Sequence, residues 1–376
     1  MTAQELPPSY FRHQSLQLPI LLGVAHGMVD AASGFLLGRL PHTVPLEQVA
    51  LLIVAYNMLA FGCQPLFGLV SDRLRCPRLM VWIGLVGLSA AVLLVPQQTE
   101  LAIALAGLSS AAFHVGGGAL SYWATPEQTT GTSLFVAPGV VGLAIGGVLG
   151  FGQYEVAAVL AGLLLGVAVA IASVRLPALP DASPTNVIKA PTSEAAQETA
   201  VLLLIVAIAL GSMVWTGSQL WLLGQAAWII GTAIAAAVGK LIGGWLAQRW
   251  GWRRWTVTAL AIAALLLATG NTPLQLLLGM ACLQSVVPVT LAATIRLMPQ
   301  HSATAAGFAL GLGILLGGIP VLAGFSLFPQ AIAAVIGVLA GAAIALWHGL
   351  RPSSLATPRS TTIPHSIAIR ADAKQG

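Results

Sequence analysis

Gly68-Leu-Val-Ser-Asp-Arg-Leu-Arg-Cys-Pro-Arg78 is a short charged interruption between two long apolar runs. It returns later in the chain as Gly244-Trp-Leu-Ala-Gln-Arg-Trp-Gly-Trp-Arg-Arg254. At an offset of 176 residues Gly68 falls on Gly244, Arg73 on Arg249 and Arg78 on Arg254, and the same offset carries Gly131 to Gly307 and Gly142 to Gly318. A charged turn at the same place in two copies of an apolar pattern predicts a chain built from two similar halves, each a parallel repeat of about six helices.

Outward from that turn the chain is apolar nearly throughout. Of 376 residues, 57% are hydrophobic and only 7% charged, and the mean hydropathy is +0.90. A water-soluble domain carries roughly a quarter charged residues. Runs long enough to cross a hydrocarbon core as helices are expected at 17–38, 47–69, 79–95, 101–123, 129–150, 156–175, 200–217, 220–246, 255–270, 273–295, 303–325 and 328–348. They are continuously apolar, not alternating, which favours helices over a barrel. The expected class is an all-α polytopic membrane protein of about 12 spans.

Charge placement sets the orientation. With the N-terminus inside, the cytoplasmic segments hold Arg12, Arg73, Arg75, Arg78, Arg175, Lys189, Arg249, Arg253, Arg254, Arg296, Arg351, Arg359, Arg370 and Lys374; the outer loops hold only Arg39. Such a bias places both termini in the cytoplasm. The formal charge of +5 therefore reports topology, and without a basic stripe interleaved with aromatics no nucleic-acid partner is expected. The N-terminus lacks a signal-peptide layout, so the plasma (inner) membrane is the expected location. The expected units are a first bundle at 1–175, a polar cytoplasmic linker at 176–199, a second bundle at 200–350 and a disordered tail at 351–376. Cys63, Cys76 and Cys282 have neither metal-ligand spacing nor a plausible disulfide partner. Trp215, Trp221, Trp228, Trp252 and Trp255 fall mostly near span ends, as an interface belt would.

The first interruption, with Gly68, Asp72 and Arg73, resembles the loop signature Gly-x-Leu-Ala-Asp-Arg-x-Gly of the major facilitator superfamily. Arg75 stands for the second glycine; in the second copy Gln248 replaces the acid and Gly251 keeps the glycine. The resemblance implies the fold of that superfamily and a gating role for Asp72 and Arg73, with Gly68, Gly244 and Arg249 in the same loops; an ordinary solvated turn is the alternative. His26-Gly-Met-Val-Asp30, Tyr56-Asn57, Gln64-Pro-Leu-Phe-Gly68, Ala112-Phe-His114 with Gly116 to Gly118, and Gly131 to Phe135 running into Gly142 together resemble the fosmidomycin-resistance-like drug-efflux branch over residues 18–150. Val115 and Gly117 depart from that branch. Gly142-Leu-Ala-Ile-Gly146-Gly147 is similar to an antiporter signature with Leu143 in place of proline. Gly142, Gly146 and Gly150 equally form a small-residue packing seam.

An ionised side chain at the bilayer centre costs several kcal/mol, and Asp30 alone among the acids lies well inside a span. His26 and Asp30, four residues apart, share a helical face. The expectation is that Asp30 carries a coupling proton with His26 as partner, against a buried pair that only fastens helices. Asn57, His114 and, by repeat symmetry, Gln284 are candidates for the lining of a central cavity; each has the alternative of a core residue or interhelical bond. A His26–Asp30–His114 metal cluster lacks enough ligands on sequence grounds, so neither metal nor cofactor is expected. Lys240 matches Gln64 and is expected to snorkel to the cytoplasmic surface or to pair with Asp72.

These residues and the resemblance lead to the expectation of a secondary transporter in the lipid bilayer working by alternating access, exporting a small organic compound or drug against protons, and the resemblance implies a monomer. An importer or uniporter on the same fold is the first alternative; a membrane sensor or metal-ion transporter is the second. An enzyme is not expected, since no nucleophile–base pair stands at one depth.

Overall fold

The computed structural model describes residues 8–95, 97–174, 194–269, 272–328 and 332–351, with side chains from Leu16 onward. Most of the 176–199 linker and the 352–376 tail lie outside the described residues. Among the described residues, twelve helical segments follow one another. They are α1 Pro8–Thr43, α2 Leu46–Leu74, α3 Pro77–Leu94, α4 Thr99–Ala124, α5 Thr130–Phe151, α6 Ala157–Ser173, α7 Glu194–Trp221, α8 Ala226–Trp250, α9 Trp252–Thr269, α10 Pro273–Leu297, α11 Pro299–Leu322 and α12 Ile332–Gly349. Ten are long and apolar enough to cross a membrane; α6 has 17 residues, and α9 opens on Arg253 and Arg254. The chain is a multi-pass membrane protein. Where hydropathy alone starts the seventh span at 200, the helix begins at Glu194, because Glu, Gln and Thr at its start are compatible with a helix that emerges from the bilayer.

Local sequence breaks several of these helices. A π-helical segment at Met58–Gly62 interrupts α2, and another at Phe308–Leu312 interrupts α11. The two meet, since a Cβ on Gly311 would stand 2.5 Å from the Phe61 carbonyl oxygen. In α10 the helix breaks at Ser285–Val286, just before Pro288, which has no N–H to continue the ladder. Among the described residues, two large hydrophobic cores result. One gathers α1 to α6 with a few residues of α10 and α11, around Phe35, Phe113, Phe135 and Leu164. The other gathers α7 to α12, around Leu204, Leu260, Met280 and Leu339.

Within the first half, α1 and α5 touch backbone to backbone. Cβ atoms built on Gly142, Gly146 and Gly150 would strike the carbonyl oxygens of Gly27, Ala31 and Phe35, all well inside contact distance. This is the small-residue seam, and no side chain fits in it. Gly142→Val should therefore lower the thermal stability of the purified protein by about 1–3 kcal/mol or more. Gly162→Ala in α6, where nothing lies within 4 Å, should leave it unchanged or slightly raised. Thermal unfolding in one detergent separates the two.

The repeat holds in space with one correction. Gln248 at the end of α8 accepts from Thr129, as Asp72 at the end of α2 accepts from Thr304. Gly317 leans on the Ala209 carbonyl of α7 as Gly142 leans on α1, whereas Gly318 has nothing within 4 Å. Thr129 to Thr304 and Gly142 to Gly317 are offsets of 175, so the sequence pairings Gly131–Gly307 and Gly142–Gly318 are one residue out. The reason is length: 57 residues separate Asp72 from Thr129, and 56 separate Gln248 from Thr304. Likewise Arg78 caps the α6 carbonyls of Ile171 and Ala172, while it is Arg253, not Arg254, that caps α12 at Trp347.

Candidate functional site

Asp30 sits midway along α1, and α4 brings His114 to it. His26 Nε2 lies 3.3 Å from Asp30 Oδ2, His114 Nε2 lies 3.7 Å from Asp30 Oδ1, and the two Nε2 atoms are 2.9 Å apart. His26 and His114 are buried, and the Asp30 side chain keeps 17% exposure. Each imidazole is anchored through its other nitrogen. His26 Nδ1 is 2.8 Å from the Phe135 carbonyl oxygen, and His114 Nδ1 is 2.8 Å from that of Ser110. A carbonyl only accepts, so both Nδ1 atoms carry hydrogen. Both Nε2 atoms then present lone pairs to each other and to a carboxylate. Three electron-rich atoms this close form a site complementary to one small cation.

The surroundings keep water from the imidazoles. The Phe135 ring lies 4.6 Å from the His26 ring at an interplanar angle of 32°, with Phe113 at 6.0 Å. Gly117 makes room for the Phe135 ring, and Gly139 lets α5 close over His26 and Asp30, where a Cβ would stand 2.7 Å from Asp30 Oδ2.

A fourth titratable group comes from the other half. Lys240 on α8 is 8% exposed, and its Nζ donates to the Val136 carbonyl oxygen at 3.1 Å. Val136 is next to Phe135, in the α5 turn before Pro138. The expected snorkelling and the expected pairing with Asp72 both fail. Gly239 and Gly243 press α8 against the α10 backbone at Ala281 and Ser285, which seats Lys240 inward. The ammonium is also within electrostatic reach of Asp30 and His114. Its repeat partner Gln64 occupies the mirror position, against Gly311 of α11.

The other predicted cavity residues divide. Asn57 is half-buried and turns its amide back to the Ile53 carbonyl at 2.7 Å. Its neighbour Tyr56 instead faces Asp30, Ser33 and Ser110. Gln284 is buried at the break in α10 and does not join the cluster. Tyr56, Lys240 and Gly139 were not picked out as site residues by sequence; the match of Lys240 to Gln64 was the one available signal.

At the arginine-rich end of the bundle the halves are clasped. Asp72 accepts from the backbone N–H groups of Ala303 and Thr304 at 3.0 and 2.8 Å, and from the Thr304 hydroxyl at 2.7 Å. The α-helical part of α11 starts at Ser302, and its N-cap residue His301 contributes no side-chain bond. Asp72 thus caps this helix from the opposite half, with charge complementary to its dipole. Gly68 permits the approach, since a Cβ there would stand 2.5 Å from the Ala303 carbonyl oxygen. Gly244 packs against Ser133, while Thr129 donates to the Gly244 carbonyl at 2.7 Å. Arg296 pairs with Glu127 at 3.2 Å. Arg73 is exposed and, among the described residues, forms no hydrogen bond or ion pair; Arg249 lies over the Trp245 ring at 4.6 Å. Of the two residues given a gating role, Asp72 makes the contact between the halves and Arg73 does not.

No family model and no curated protein matches the sequence. Solved structures do. The chain is similar to FucP, a major facilitator superfamily transporter in the outward conformation, with a TM-score of 0.68 and 16% identity over 90% of this chain and 100% of that one. A variant of the E. coli fucose:proton symporter FucP aligns with a TM-score of 0.64 and 15% identity, over 89% and 97% of the two chains. The human organic anion transporter MFSD10 aligns with 0.65 and 16%, over 92% and 100%. The fold is that of the major facilitator superfamily transporters.

Proposed function

We propose that the chain is a proton-coupled secondary transporter working by alternating access, and that it exports a small organic compound in exchange for protons. The observation that carries this reading is the pair of facing Nε2 atoms beside Asp30, a site built to hold one proton and partly reachable by water. The clasp at the arginine-rich end supports it. With that end cytoplasmic, as the positive-inside bias argues, the clasp closes the halves on the inner side. Reopening the clasp gives the alternate state. The resemblance of residues 18–150 to the fosmidomycin-resistance-like branch supports export of drug-like compounds. The test is proton flux in liposomes carrying the purified chain, with candidate compounds added on one side. Compound-driven proton movement opposite to the compound supports exchange. Movement in the same direction makes the transporter a symporter, and compound movement without protons makes it a uniporter.

A further inference from the structure

We propose that His26, Asp30 and His114 form a binding site for a divalent transition metal of the zinc type. The proposal shares its residues with the proton reading but not its assay, so either can fail alone. Three features of the cluster are those of a metal centre. First, one donor atom from each residue lies within 4.8 Å of the others; the two Nε2 atoms are 2.9 Å apart, with Asp30 Oδ2 3.3 Å from His26 and Asp30 Oδ1 3.7 Å from His114, close to the edge of about 3.4 Å spanned by two ligands around tetrahedral zinc with bonds near 2.0–2.1 Å. The Nε2–Nε2 edge has to open by about 0.5 Å, and the carboxylate has to turn so that one oxygen meets both imidazoles. Second, both histidines donate Nδ1–H to backbone carbonyls of Phe135 and Ser110. That outer bond is the one metal-bound imidazoles ordinarily make, and it fixes both lone pairs on the shared point. Third, two imidazoles and one carboxylate suit zinc and its neighbours, not magnesium or calcium. The fourth position is left to water or to a substrate oxygen.

Binding exchanges one cation for another. The metal accepts two imidazole lone pairs and one carboxylate oxygen pair, and the shared proton leaves to water; nothing is oxidised or reduced. Lys240 opposes the metal, because its ammonium lies within electrostatic reach of the same carboxylate and repels a second cation there.

The experiment is Zn2+ titration calorimetry on the untagged full chain in detergent, with Co2+ absorption as a check on coordination. One Zn2+ per chain is expected, with Co2+ showing the intense visible bands of a four-coordinate site. His114→Ala should weaken binding at least about a hundredfold, beyond the 10–100-fold typical of losing an outer-shell partner. Lys240→Met should strengthen it about tenfold, a gain that mere damage to the fold would not give. Absence of stoichiometric binding, or binding unchanged in His114→Ala, overturns the proposal and assigns any residual zinc to surface histidines such as His42, His301 or His348. Zinc binding without proton-coupled flux leaves the metal site standing and removes the proton-coupling reading; the reverse result does the opposite.

Discussion

Asp30→Asn should abolish compound-driven proton movement while the protein stays folded. Asparagine keeps the shape of the side chain and can still bond to His26 or His114, so α1 and α4 remain joined. What disappears is the negative charge that balances the proton shared between the two Nε2 atoms at 2.9 Å. With that charge gone, holding the proton leaves an uncompensated cation in a buried, aromatic-walled site, with the Lys240 ammonium nearby. An unpaired buried charge costs several kcal/mol. Proton-coupled flux should fall at least about a hundredfold, the scale a positioned proton carrier contributes. The measurement is pH-sensitive dye quenching in liposomes, with thermal unfolding as the control for folding. Flux within about twofold of wild type would return Asp30 and His26 to a structural pair that only fastens helices. Lost flux together with a lowered melting temperature would point the same way.

The reach of the sequence differed sharply from residue to residue. Asp30 was visible because a lone acid inside a span is costly, and His26 because four residues separate it from Asp30 on one helix. His114 is 88 residues from His26, and nothing in its own surroundings tells which way α4 is rotated; only packing brings the two Nε2 atoms together. Asn57 and Tyr56 show the same limit at its smallest scale. A rotation of about 100° per residue on a helix decides which of two adjacent side chains faces Asp30, and hydropathy cannot see it. Lys240 was misread because snorkelling is the default for a lysine in a span. The default loses here to a carbonyl in the turn before Pro138 and to the glycines that press α8 against α10. The repeat was legible in the charged turns, where residue types recur, but one residue out in α5 and α11, since a repeat counted from a single motif cannot register a deletion beyond it.

The clasp gives the second large effect, read by a cysteine the chain already has. Asp72→Asn removes the charge that caps the start of α11 from the other half, where three hydrogen bonds converge. Hydrogen bonds to a charged group are worth about 1.5–3 kcal/mol each, and asparagine retains part of them. A net loss of about 3 kcal/mol moves the equilibrium between clasped and open states by more than a hundredfold. Cys76 reports the change. It follows the Asp72 turn and packs at the edge of a small apolar cluster of Met80, Ala112, Val115, Ala119 and Ala303, the last of these on α11. Burial raises the Cys76 thiol above its ordinary pKa, and the thiolate is the reactive form. Separation of α11 from α2 hydrates the thiol, lowers that pKa and increases access; both changes speed labelling at a fixed pH. In a Cys63→Ser, Cys282→Ser background, maleimide labelling of Cys76 in Asp72→Asn should run at least about tenfold faster than in the parent. Gly68→Val, which drives a side chain into Ala303 and Thr304, should act in the same direction. Transport should fall in both variants, because a carrier held open at one end cannot complete its cycle. Equal labelling rates in parent and variants would mean that Asp72 does not hold the halves together, and would leave the loop an ordinary turn between helices.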